Sequence, residues 1–262
     1  MIKLICTDVD GTLVPDGTRD INPEIFEVIR QLRDRGIQVA IASGRPLSSI
    51  QNLFRPIEEK LFFIAVGGAE IATCSRVLFH WDMGREDLEE MIREARQIPG
   101  CEILMNGTTA TYLETKNQEF YDWSVNGYGM EVTMTEDLLS VKDGIIALSF
   151  YHGDCRVETT FRGFIEKWRD RYQVVTAGTM WLDVQPQGVN KGKAVACLQD
   201  SLGITPEETM VFGDQRNDIE MMRQAGHSYA VENALEEVKA AARFRTGRCD
   251  EDGVLQVLKT LL

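Results

Sequence analysis

The sequence lacks long apolar runs, paired cysteines and an excess of basic residues. No stretch approaches the roughly 18 apolar residues expected of a membrane-spanning helix, so we expect no membrane partner. The first residues lack the basic segment, apolar stretch and small-residue cleavage site of a secretory signal, which predicts a cytoplasmic protein. No internal repeat or low-complexity tract is visible.

Cysteine and histidine are sparse and scattered. The six cysteines never form a CxxC pair, which argues against a disulfide framework or a zinc cage in a chain of 262 residues and favours reduced thiols. The three histidines have no partners at metal-ligand spacing and are expected to be structural: His80, His152 and His227.

The net charge of −13 argues against a broad basic face for nucleic acid, so no nucleic-acid partner is expected. An anionic small substrate then requires a locally positive pocket, supplied by a metal ion, a lysine or helix N-termini. A hydrophobic content of 44% is ample for a globular core.

The outer parts of the chain alternate between apolar strands and amphipathic helices. Leu4–Cys6, Ile37–Ala42 and Leu61–Val66 read as strands, with helices over Asn22–Arg35 and from Pro46 onward. This rhythm predicts an α/β fold with a Rossmann-like parallel sheet and helices on both faces. Ligands bind beyond the carboxyl ends of the strands in such sheets.

The middle third mixes helices with hairpins. Asn106-Gly107 is a strong hairpin-turn signal, and Glu158–Arg171 reads as one helix. We therefore predict an inserted α+β cap domain at residues 82–184 and a core domain at residues 1–81 and 185–262. In the second part of the core, Lys191 begins a helix, Thr209–Phe212 forms a strand and His227–Val231 forms the last inner strand.

Two aspartates follow the first strand. On an extended backbone, Asp8 and Asp10 point the same way, and two close carboxylates repel unless a cation or a shared proton intervenes. The plain alternative is an Asp-Gly turn with solvated carboxylates.

Three further polar segments lie at predicted strand ends or helix starts. They are Ser43-Gly44-Arg45, Lys191, and Gly213-Asp214 with Asn217-Asp218. Each is weak evidence alone, since such turns and helix-start lysines are common. Four segments at the same edge of one sheet, however, predict a site.

The residue types suit phosphoryl transfer. Asp8 can attack phosphorus, and Asp10 can protonate the leaving oxygen and then deprotonate water. Mg²⁺ prefers oxygen ligands, which Asp8, Asp214 and the Asp10 carbonyl could supply.

The other segments offer groups for the phosphate oxygens. Ser43 and the Gly44 backbone N–H, expected at a helix start, suit the transferring oxygens. Lys191 adds a fixed positive charge, and Asn217 can donate a neutral hydrogen bond.

The four segments resemble the motifs of the haloacid dehalogenase (HAD) superfamily, and within it the Cof-like phosphatase branch. The DxDGT motif matches Asp8–Thr12, and the lysine motif matches Gly188–Gly192. The Ser/Thr-Gly-Arg motif matches Ser43–Arg45, and the GDxxND motif matches Gly213–Asp218.

This resemblance implies a role for each matching residue. Asp8 becomes the nucleophile and Asp10 the acid/base, with Mg²⁺ held by Asp8, the Asp10 carbonyl and Asp214. The phosphate is held by the four residues already matched to it: Ser43, Gly44, Lys191 and Asn217. Asp218 supports the metal through its waters or through Lys191, and Arg45 reaches the substrate or braces a loop.

The chain departs from the resemblance at Gly67, where many relatives carry asparagine, which puts any substrate contact there in doubt. Polar and aromatic residues of the predicted cap are candidates for reading the leaving group, although packing in the cap core is the stronger interpretation. They are Asn106, Tyr112, Tyr121, Trp123 and Trp181.

The leading hypothesis is a Mg²⁺-dependent phosphatase that acts on a small-molecule phosphate ester through an aspartyl-phosphate. The resemblance implies a sugar phosphate as the substrate, and pyridoxal phosphate and flavin mononucleotide are other candidate substrates. The alternatives are a phosphomutase on sugar phosphates and a non-catalytic metal-binding regulatory protein on the same fold.

Overall fold

The computed structural model describes all 262 residues and divides into two compact units. The first unit comprises Met1–Phe79 and Asn190–Leu262, and the second comprises His80–Val189. The second unit is thus an insertion between two parts of the first in chain order. No helix combines the length and the apolar character needed to cross a membrane.

Fourteen strands are numbered here in chain order. They are β1 (Leu4–Thr7), β2 (Gln38–Ala42), β3 (Phe62–Ala65), β4 (Glu70–Ala72), β5 (Val77–His80), β6 (Cys101–Gly107), β7 (Thr111–Glu114), β8 (Val132–Met134), β9 (Ile145–His152), β10 (Tyr172–Ala177), β11 (Trp181–Pro186), β12 (Thr209–Gly213), β13 (His227–Val231) and β14 (Phe244–Thr246).

Ten α-helices are numbered in the same way. They are α1 (Glu24–Asp34), α2 (Leu47–Leu53), α3 (Arg85–Ala95), α4 (Gln118–Asp122), α5 (Val157–Thr160), α6 (Arg162–Trp168), α7 (Lys191–Leu202), α8 (Ile219–Arg223), α9 (Glu236–Ala241) and α10 (Gly253–Lys259).

The first unit is built on an eight-stranded sheet in the order β14-β13-β12-β1-β2-β3-β4-β5. The six strands from β14 to β3 are parallel, and β4 runs antiparallel to β3. Strand β1 is central and buried along its whole length, which is why its sequence is continuously apolar up to Cys6. The predicted α/β class with a parallel sheet is confirmed, and β14 extends the sheet beyond β13, the strand predicted to be last.

The helices of the first unit follow from their apolar spacing. Helix α1 buries Ile25, Val28, Ile29 and Leu32, the positions that share one helical face. Gly36 follows the helix with φ of +85°, a left-handed conformation that glycine adopts without a steric penalty. These helices connect successive parallel strands, so the carboxyl ends of those strands lie at one edge of the sheet.

The second unit contains a six-stranded sheet in the order β10-β11-β9-β6-β7-β8. Its pairs are antiparallel except for β7 with β8. Apolar side chains of β6, β9 and β11 pack with those of α3 and α6 in one core that includes Phe150, Phe161 and Trp168. A smaller cluster forms around Phe120 and Tyr128.

The predicted hairpin around Asn106-Gly107 forms, since β6 pairs antiparallel with β7, but the predicted position of its turn is wrong. Both residues belong to strand β6, and the reversal occurs after them, where the Gly107 N–H donates to the Ala110 carbonyl. Asn106 is buried and its Oδ1 accepts a hydrogen bond from Thr111 Oγ1 at 3.2 Å. A Cβ on Gly107 would lie 2.2 Å from Asp143 Oδ2, so this glycine is required by close packing and not by a turn.

The single helix predicted over Glu158–Arg171 is divided. Helices α5 and α6 are separated by Phe161, whose φ of −98° and ψ of 15° leave the helical region. The Phe161 ring is fully buried and packs against Phe150 with ring centroids 5.8 Å apart. We attribute the break to this core packing, which helical periodicity alone does not indicate.

Candidate active site

Three of the predicted site residues follow neighbouring parallel strands. Asp8 comes directly after β1, Ser43 after β2 and Asp214 after β12, and β1 lies between the other two. The strands are in register, since Thr7 pairs with both Ile41 and Phe212. The structure therefore brings these side chains to one edge of the sheet, where ligands bind in open α/β folds.

Lys191 is the first residue of α7, and its side chain is buried against two carboxylates. The helix is capped by Asn190, whose Oδ1 accepts from the Lys193 N–H at 2.9 Å. Lys191 Nζ donates to Asp8 Oδ1 at 2.5 Å and to Asp218 Oδ1 at 2.7 Å. Its side chain is only 1% exposed, so this ammonium is a fixed local charge rather than a solvated one.

Asp218 organises the loop that follows β12. Its Oδ2 accepts from the Asp214 N–H at 2.9 Å and from the Gln215 N–H at 3.0 Å, while Oδ1 holds Lys191. The two carboxylate oxygens together accept three hydrogen bonds, and the side chain is fully buried. Asp218 consequently fixes both the backbone of Asp214 and the ammonium of Lys191.

Asp214 is held by the loop that follows β1. Thr12 Oγ1 donates to Asp214 Oδ1 at 2.8 Å, and Gln215 Nε2 donates to Oδ2 at 3.1 Å. Gly11 has φ of +77°, and a Cβ there would lie 2.3 Å from Asp214 Oδ2. Glycine at this position therefore permits both the turn and the close approach of the two loops.

The carboxylates of this cluster outnumber its buried ammonium. Burial raises the pKa of Asp8, with further upward effects from Asp218 and Asp10 against the opposing effect of Lys191. Burial raises the pKa of Asp214 as well, reinforced by Asp8 and Asp218. For Lys191, burial disfavours the charged form, but Asp218 and Asp8 outweigh it and raise the pKa. The cluster is short of positive charge.

The donor set of the cluster fits a hard divalent cation. Carboxylate oxygens of Asp8, Asp214 and Asp218 lie within 4.8 Å of one another, and all three residues are buried. Mg²⁺ takes oxygen ligands and retains several waters, so two carboxylates and a backbone carbonyl are enough protein ligands for it. A cation here would also oppose the effects of burial and, secondly, of the repulsion between carboxylates, which raise the pKa of Asp8 and of Asp214.

The side chain of Asp10 is engaged by Arg45 and not by Lys191. Arg45 Nε donates to Asp10 Oδ2 at 2.8 Å, and Nη2 donates to Oδ1 at 2.6 Å. The Asp10 side chain is 22% exposed, whereas that of Arg45 is 2% exposed. Two roles are expected for Arg45, bracing a loop or contacting the substrate. Its Nη2 donates to the Thr18 carbonyl at 2.7 Å, a contact that fits the loop-bracing role.

Ser43 and Gly44 lie in the turn between β2 and α2. Ser43 is fully buried, and its Oγ accepts from the Arg45 N–H at 3.1 Å. The expectation that Gly44 stands at the start of a helix is wrong, because α2 begins at Leu47 after Pro46. Proline before the helix keeps the preceding backbone extended, which moves the first helical turn away from Gly44.

Asn217 lies in the single 3₁₀ turn Arg216–Asp218, directly before α8. Its Oδ1 is buried without a hydrogen-bond partner. A buried amide oxygen without a donor is costly, and such atoms are frequent where a water, a ligand or an ion completes the site.

The loop after β3 has an unusual backbone conformation around Gly67. Val66, Gly67 and Gly68 have φ of 48°, 62° and 105° in succession. A positive φ is unusual for a β-branched residue, and it requires support from the surrounding structure. A Cβ on Gly68 would lie 2.4 Å from the Asn190 carbonyl oxygen, so this loop contacts the start of α7 just before Lys191.

The cap candidates named from the sequence pack mainly with each other. Trp123 and Trp181 are stacked with centroids 6.0 Å apart, and both border the cluster around Phe120 together with Tyr121. The Tyr112 hydroxyl donates to Asp143 Oδ2 at 3.2 Å. These contacts favour the structural interpretation for most of their surface.

Sequence reasoning missed the supporting residues Thr12, Gln215 and Asn233. Asn233 Nδ2 donates to the Gly11 carbonyl at 2.6 Å, and its Oδ1 accepts from the Cys249 N–H at 2.9 Å. Asn233 follows β13, so it stands at the same strand-end edge as the predicted residues. This position after a strand of the parallel sheet is the feature by which the sequence could have indicated Asn233 as a site residue.

Comparison with known proteins places these motifs in a family. The model of the haloacid dehalogenase-like hydrolases matches residues 5–258. The 5-amino-6-(5-phospho-D-ribitylamino)uracil phosphatase of Escherichia coli is 28% identical, with 100% of this chain and 96% of that protein covered. The HMP-PP phosphatase of an Enterobacter species is 25% identical, with 98% of this chain and 95% of that protein covered.

The fold has solved relatives over its full length. A crystal structure from Eubacterium rectale is 37% identical with a TM-score of 0.86, and the match covers 100% of this chain and 99% of that one. The chain belongs to the haloacid dehalogenase-like hydrolases, as the sequence motifs predicted. Its relatives are phosphatases, and the protein is accordingly a phosphoric monoester hydrolase.

Proposed function

We propose that the protein is a Mg²⁺-dependent phosphatase that hydrolyses a small phosphorylated metabolite through an aspartyl-phosphate on Asp8. The observation that carries this proposal is the contact of Lys191 Nζ with Asp8 Oδ1 at 2.5 Å, inside a buried cluster of three carboxylates. The ammonium holds one oxygen of Asp8, and the other oxygen is then the one assigned to attack phosphorus.

We assign the metal to Asp8, Asp214 and the backbone carbonyl of Asp10. Asp218 belongs to the same acidic cluster, but its oxygens already accept from Lys191 and from two backbone N–H groups, so we assign it a supporting role. A bound Mg²⁺ supplies Lewis-acid stabilisation of the charge on the phosphoryl oxygens.

The reaction then needs two proton transfers by Asp10. In the first step, Asp8 Oδ2 forms a bond to phosphorus, the bond from phosphorus to the leaving oxygen breaks, and Asp10 gives a proton to that oxygen. In the second step, water attacks the same phosphorus, Asp10 takes a proton from the water, and the bond from phosphorus to Asp8 breaks. Phosphate is released and the Asp8 carboxylate is restored.

The phosphate oxygens are assigned to Ser43, the Gly44 backbone N–H, Lys191 and Asn217. Asn217 is assigned through its side-chain Nδ2, which can donate to a phosphate oxygen, and its place in the turn next to Asp218 supports this assignment. The fixed ammonium of Lys191 suits charge that develops on the transferring group, since a group already in place needs no reorganisation during the reaction.

The second unit is proposed to determine substrate preference, and the substrate is proposed to be a sugar phosphate or a similar small ester. Homologues that act on a phosphoribitylamino-uracil and on HMP-PP support a small phosphorylated metabolite as the substrate class. A screen for phosphate release should therefore include sugar phosphates, pyridoxal phosphate and flavin mononucleotide, each with Mg²⁺ and with EDTA.

The test of the mechanism is Asp8→Asn, which removes the nucleophile and changes the side chain by one atom. We expect turnover to fall by at least about 10⁴-fold with the fold intact by circular dichroism. Acid quenching of the wild type during turnover should trap phosphate on the protein, and the variant should trap none. Asp200→Asn, on the exposed end of α7, is the matched control and should keep the wild-type rate.

Three results would contradict the proposal. Near-normal turnover by Asp8→Asn would remove the nucleophile from the mechanism. An isomerised sugar phosphate as product, with no free phosphate, would indicate a phosphomutase. A flat rate against the whole panel would point to a regulatory protein on the same fold.

A further inference from the structure

The guanidinium of Arg45 meets the carboxylate of Asp10 edge to edge. Nε and Nη2 each reach a different oxygen, at 2.8 Å and 2.6 Å. Two parallel hydrogen bonds between a planar fork and a planar carboxylate fix both the position and the rotation of the carboxylate. Asp10 Oδ1 also accepts a longer hydrogen bond from the Gly17 N–H, at 3.3 Å.

Arg45 is itself held on several sides. Its backbone N–H donates to Ser43 Oγ at 3.1 Å, and its carbonyl accepts from the Val66 N–H at 3.0 Å. Its Nη2 also donates to the Thr18 carbonyl at 2.7 Å. Because the side chain is 2% exposed, the guanidinium has little freedom to reorient, and it can act as a rigid reference for Asp10.

A proton transfer makes this rigidity matter. The donor and acceptor atoms must come within about 2.6–3.2 Å, and small errors in placement reduce the rate steeply. Asp10 is the more exposed member of the pair, with 22% of its side chain accessible, so without Arg45 it would sample several rotamers.

We propose that Arg45 is a positioning residue that orients the Asp10 carboxylate for its two proton transfers. This inference rests on the proposed function, because it takes Asp10 as the acid and base of the reaction. Arg45 acts through Asp10 and makes no contact with the reacting atoms. The competing explanation is that Arg45 only braces the loop that contains Thr18.

The two explanations differ in how they affect the separate steps. p-Nitrophenolate leaves without needing a proton, so formation of the aspartyl-phosphate from p-nitrophenyl phosphate does not depend on Asp10. Hydrolysis of the aspartyl-phosphate still requires Asp10 to take a proton from water. Loss of Asp10 orientation should therefore slow only the second step with this substrate, and the phosphorylated enzyme should accumulate.

The experiment is a stopped-flow assay of Arg45→Lys with p-nitrophenyl phosphate and Mg²⁺. Lysine keeps the charge but cannot form two parallel bonds with one carboxylate. We expect a burst of p-nitrophenolate near one equivalent of enzyme, followed by a steady rate at least about 10-fold below the wild type. KM should fall by a similar factor, so that kcat/KM stays within about threefold of the wild type, because the step that forms the aspartyl-phosphate is unchanged. The double variant Arg45→Lys/Asp10→Asn should be no slower than Asp10→Asn alone.

Arg96→Lys is the matched control. Arg96 also joins two carboxylates, those of Glu114 and Asp137, at 2.6 Å each, but it belongs to the second unit. We expect this control to keep the wild-type burst and steady rate. If Arg45→Lys does not fold, as judged by thermal unfolding, Arg45→Gln is assayed against the same criteria.

The inference is overturned if Arg45→Lys slows p-nitrophenyl phosphate turnover without a burst, if KM rises while kcat is unchanged, or if its effect adds to that of Asp10→Asn. Each of these leaves the proposed function intact when Asp10→Asn itself shows the burst. An Asp10→Asn variant with wild-type kinetics on every substrate would instead remove Asp10 from the mechanism, and the inference would fall with it.

Discussion

Buried aspartates of the first unit and Asp143 of the second unit lie in opposite electrostatic environments. In the first unit, Asp8 and Asp214 are buried, and burial raises the pKa of each. In the second unit, burial of Asp143 acts in the same upward direction, but hydrogen bonds from Thr108, Thr109 and Tyr112 outweigh it and lower its pKa to about 2. The surroundings of Asp8 and Asp214 thus disfavour the ionised carboxylate, whereas those of Asp143 stabilise it.

The difference lies in what surrounds each carboxylate. Asp143 faces only neutral donors, whose partial positive charges point at its oxygens. Asp8 and Asp214 face each other and Asp218, with Lys191 as the buried cation. An arrangement that disfavours its own charges is expected where a ligand or a metal completes it, whereas a fully satisfied carboxylate serves the local fold.

The largest effect is expected for Lys191→Met. It leaves Asp8 and Asp218 buried without their shared cation, a change that costs on the order of 3–5 kcal/mol. Urea unfolding in EDTA should show this loss, added Mg²⁺ should restore part of it, and phosphate release should fall at least about 10³-fold.

Lys193→Met is the control for this prediction, because Lys193 lies on the same helix and is exposed. We expect its free energy of unfolding to stay within about 0.5 kcal/mol of that of the wild type. A stability loss below about 1 kcal/mol for Lys191→Met would mean that the carboxylates of the first unit do not depend on this cation, and the contrast between the units would weaken.

Glu70 offers an intermediate case in the first unit. It lies on β4, is 6% exposed, and burial raises its pKa from 4.5 to about 7. Since the neutral form is favoured in the folded state, wild-type stability is lost as the pH rises from 4.5 through about 7, and the loss is complete above that range. The full loss corresponds to about 3 kcal/mol.

Glu70→Gln should abolish this pH dependence. At pH 8 the variant is expected to be more stable than the wild type by up to about 3 kcal/mol, and at pH 5 the two should be nearly equal. Urea titrations at both pH values measure the difference. A difference that is the same at pH 5 and pH 8 would show that burial of this carboxyl carries no charge penalty.

The two units also differ in how far their sequences predict them. In the first unit, continuous apolar strands end in short polar motifs, and a parallel sheet brings those ends to one edge whatever the details of packing. Asp8, Ser43, Lys191, Asp214 and Asp218 could therefore be placed together from the sequence alone. The pairing of Arg45 with Asp10 could not, because it depends on side-chain rotamers and on a loop carbonyl at Thr18.

In the second unit, local signals were overridden by packing. Asn106-Gly107 has the residues of a tight turn, yet Asn106 is buried in β6 and Gly107 is required beside Asp143. Phe161 has no helix-breaking chemistry, yet the helix is interrupted at this residue, whose ring packs in the core. Antiparallel sheets place each turn according to which side chains are buried, and that choice is tertiary.

The smallest effect is expected where the contrast is sharpest, at Asp143. The true turn after β6 is held by this carboxylate, which accepts from Thr108 Oγ1 at 2.6 Å and from the Thr109 N–H at 2.9 Å. Asp143→Ala removes these bonds at a partly exposed position, where water can replace them, so we expect a loss of about 1–2 kcal/mol in urea unfolding. Lys142→Ala, at the exposed neighbour, should change little.

The pH dependence separates Asp143 from Glu70. Because the pKa of Asp143 is lowered to about 2, its contribution is complete above its ordinary value of 3.8 and is lost only as the pH falls toward 2. The difference between wild type and Asp143→Ala should therefore be constant from pH 5 to pH 8, over the range in which the Glu70→Gln difference grows. If both differences changed together over that range, the two carboxyl groups would not be in opposite environments, and the comparison between the units would fail at these residues.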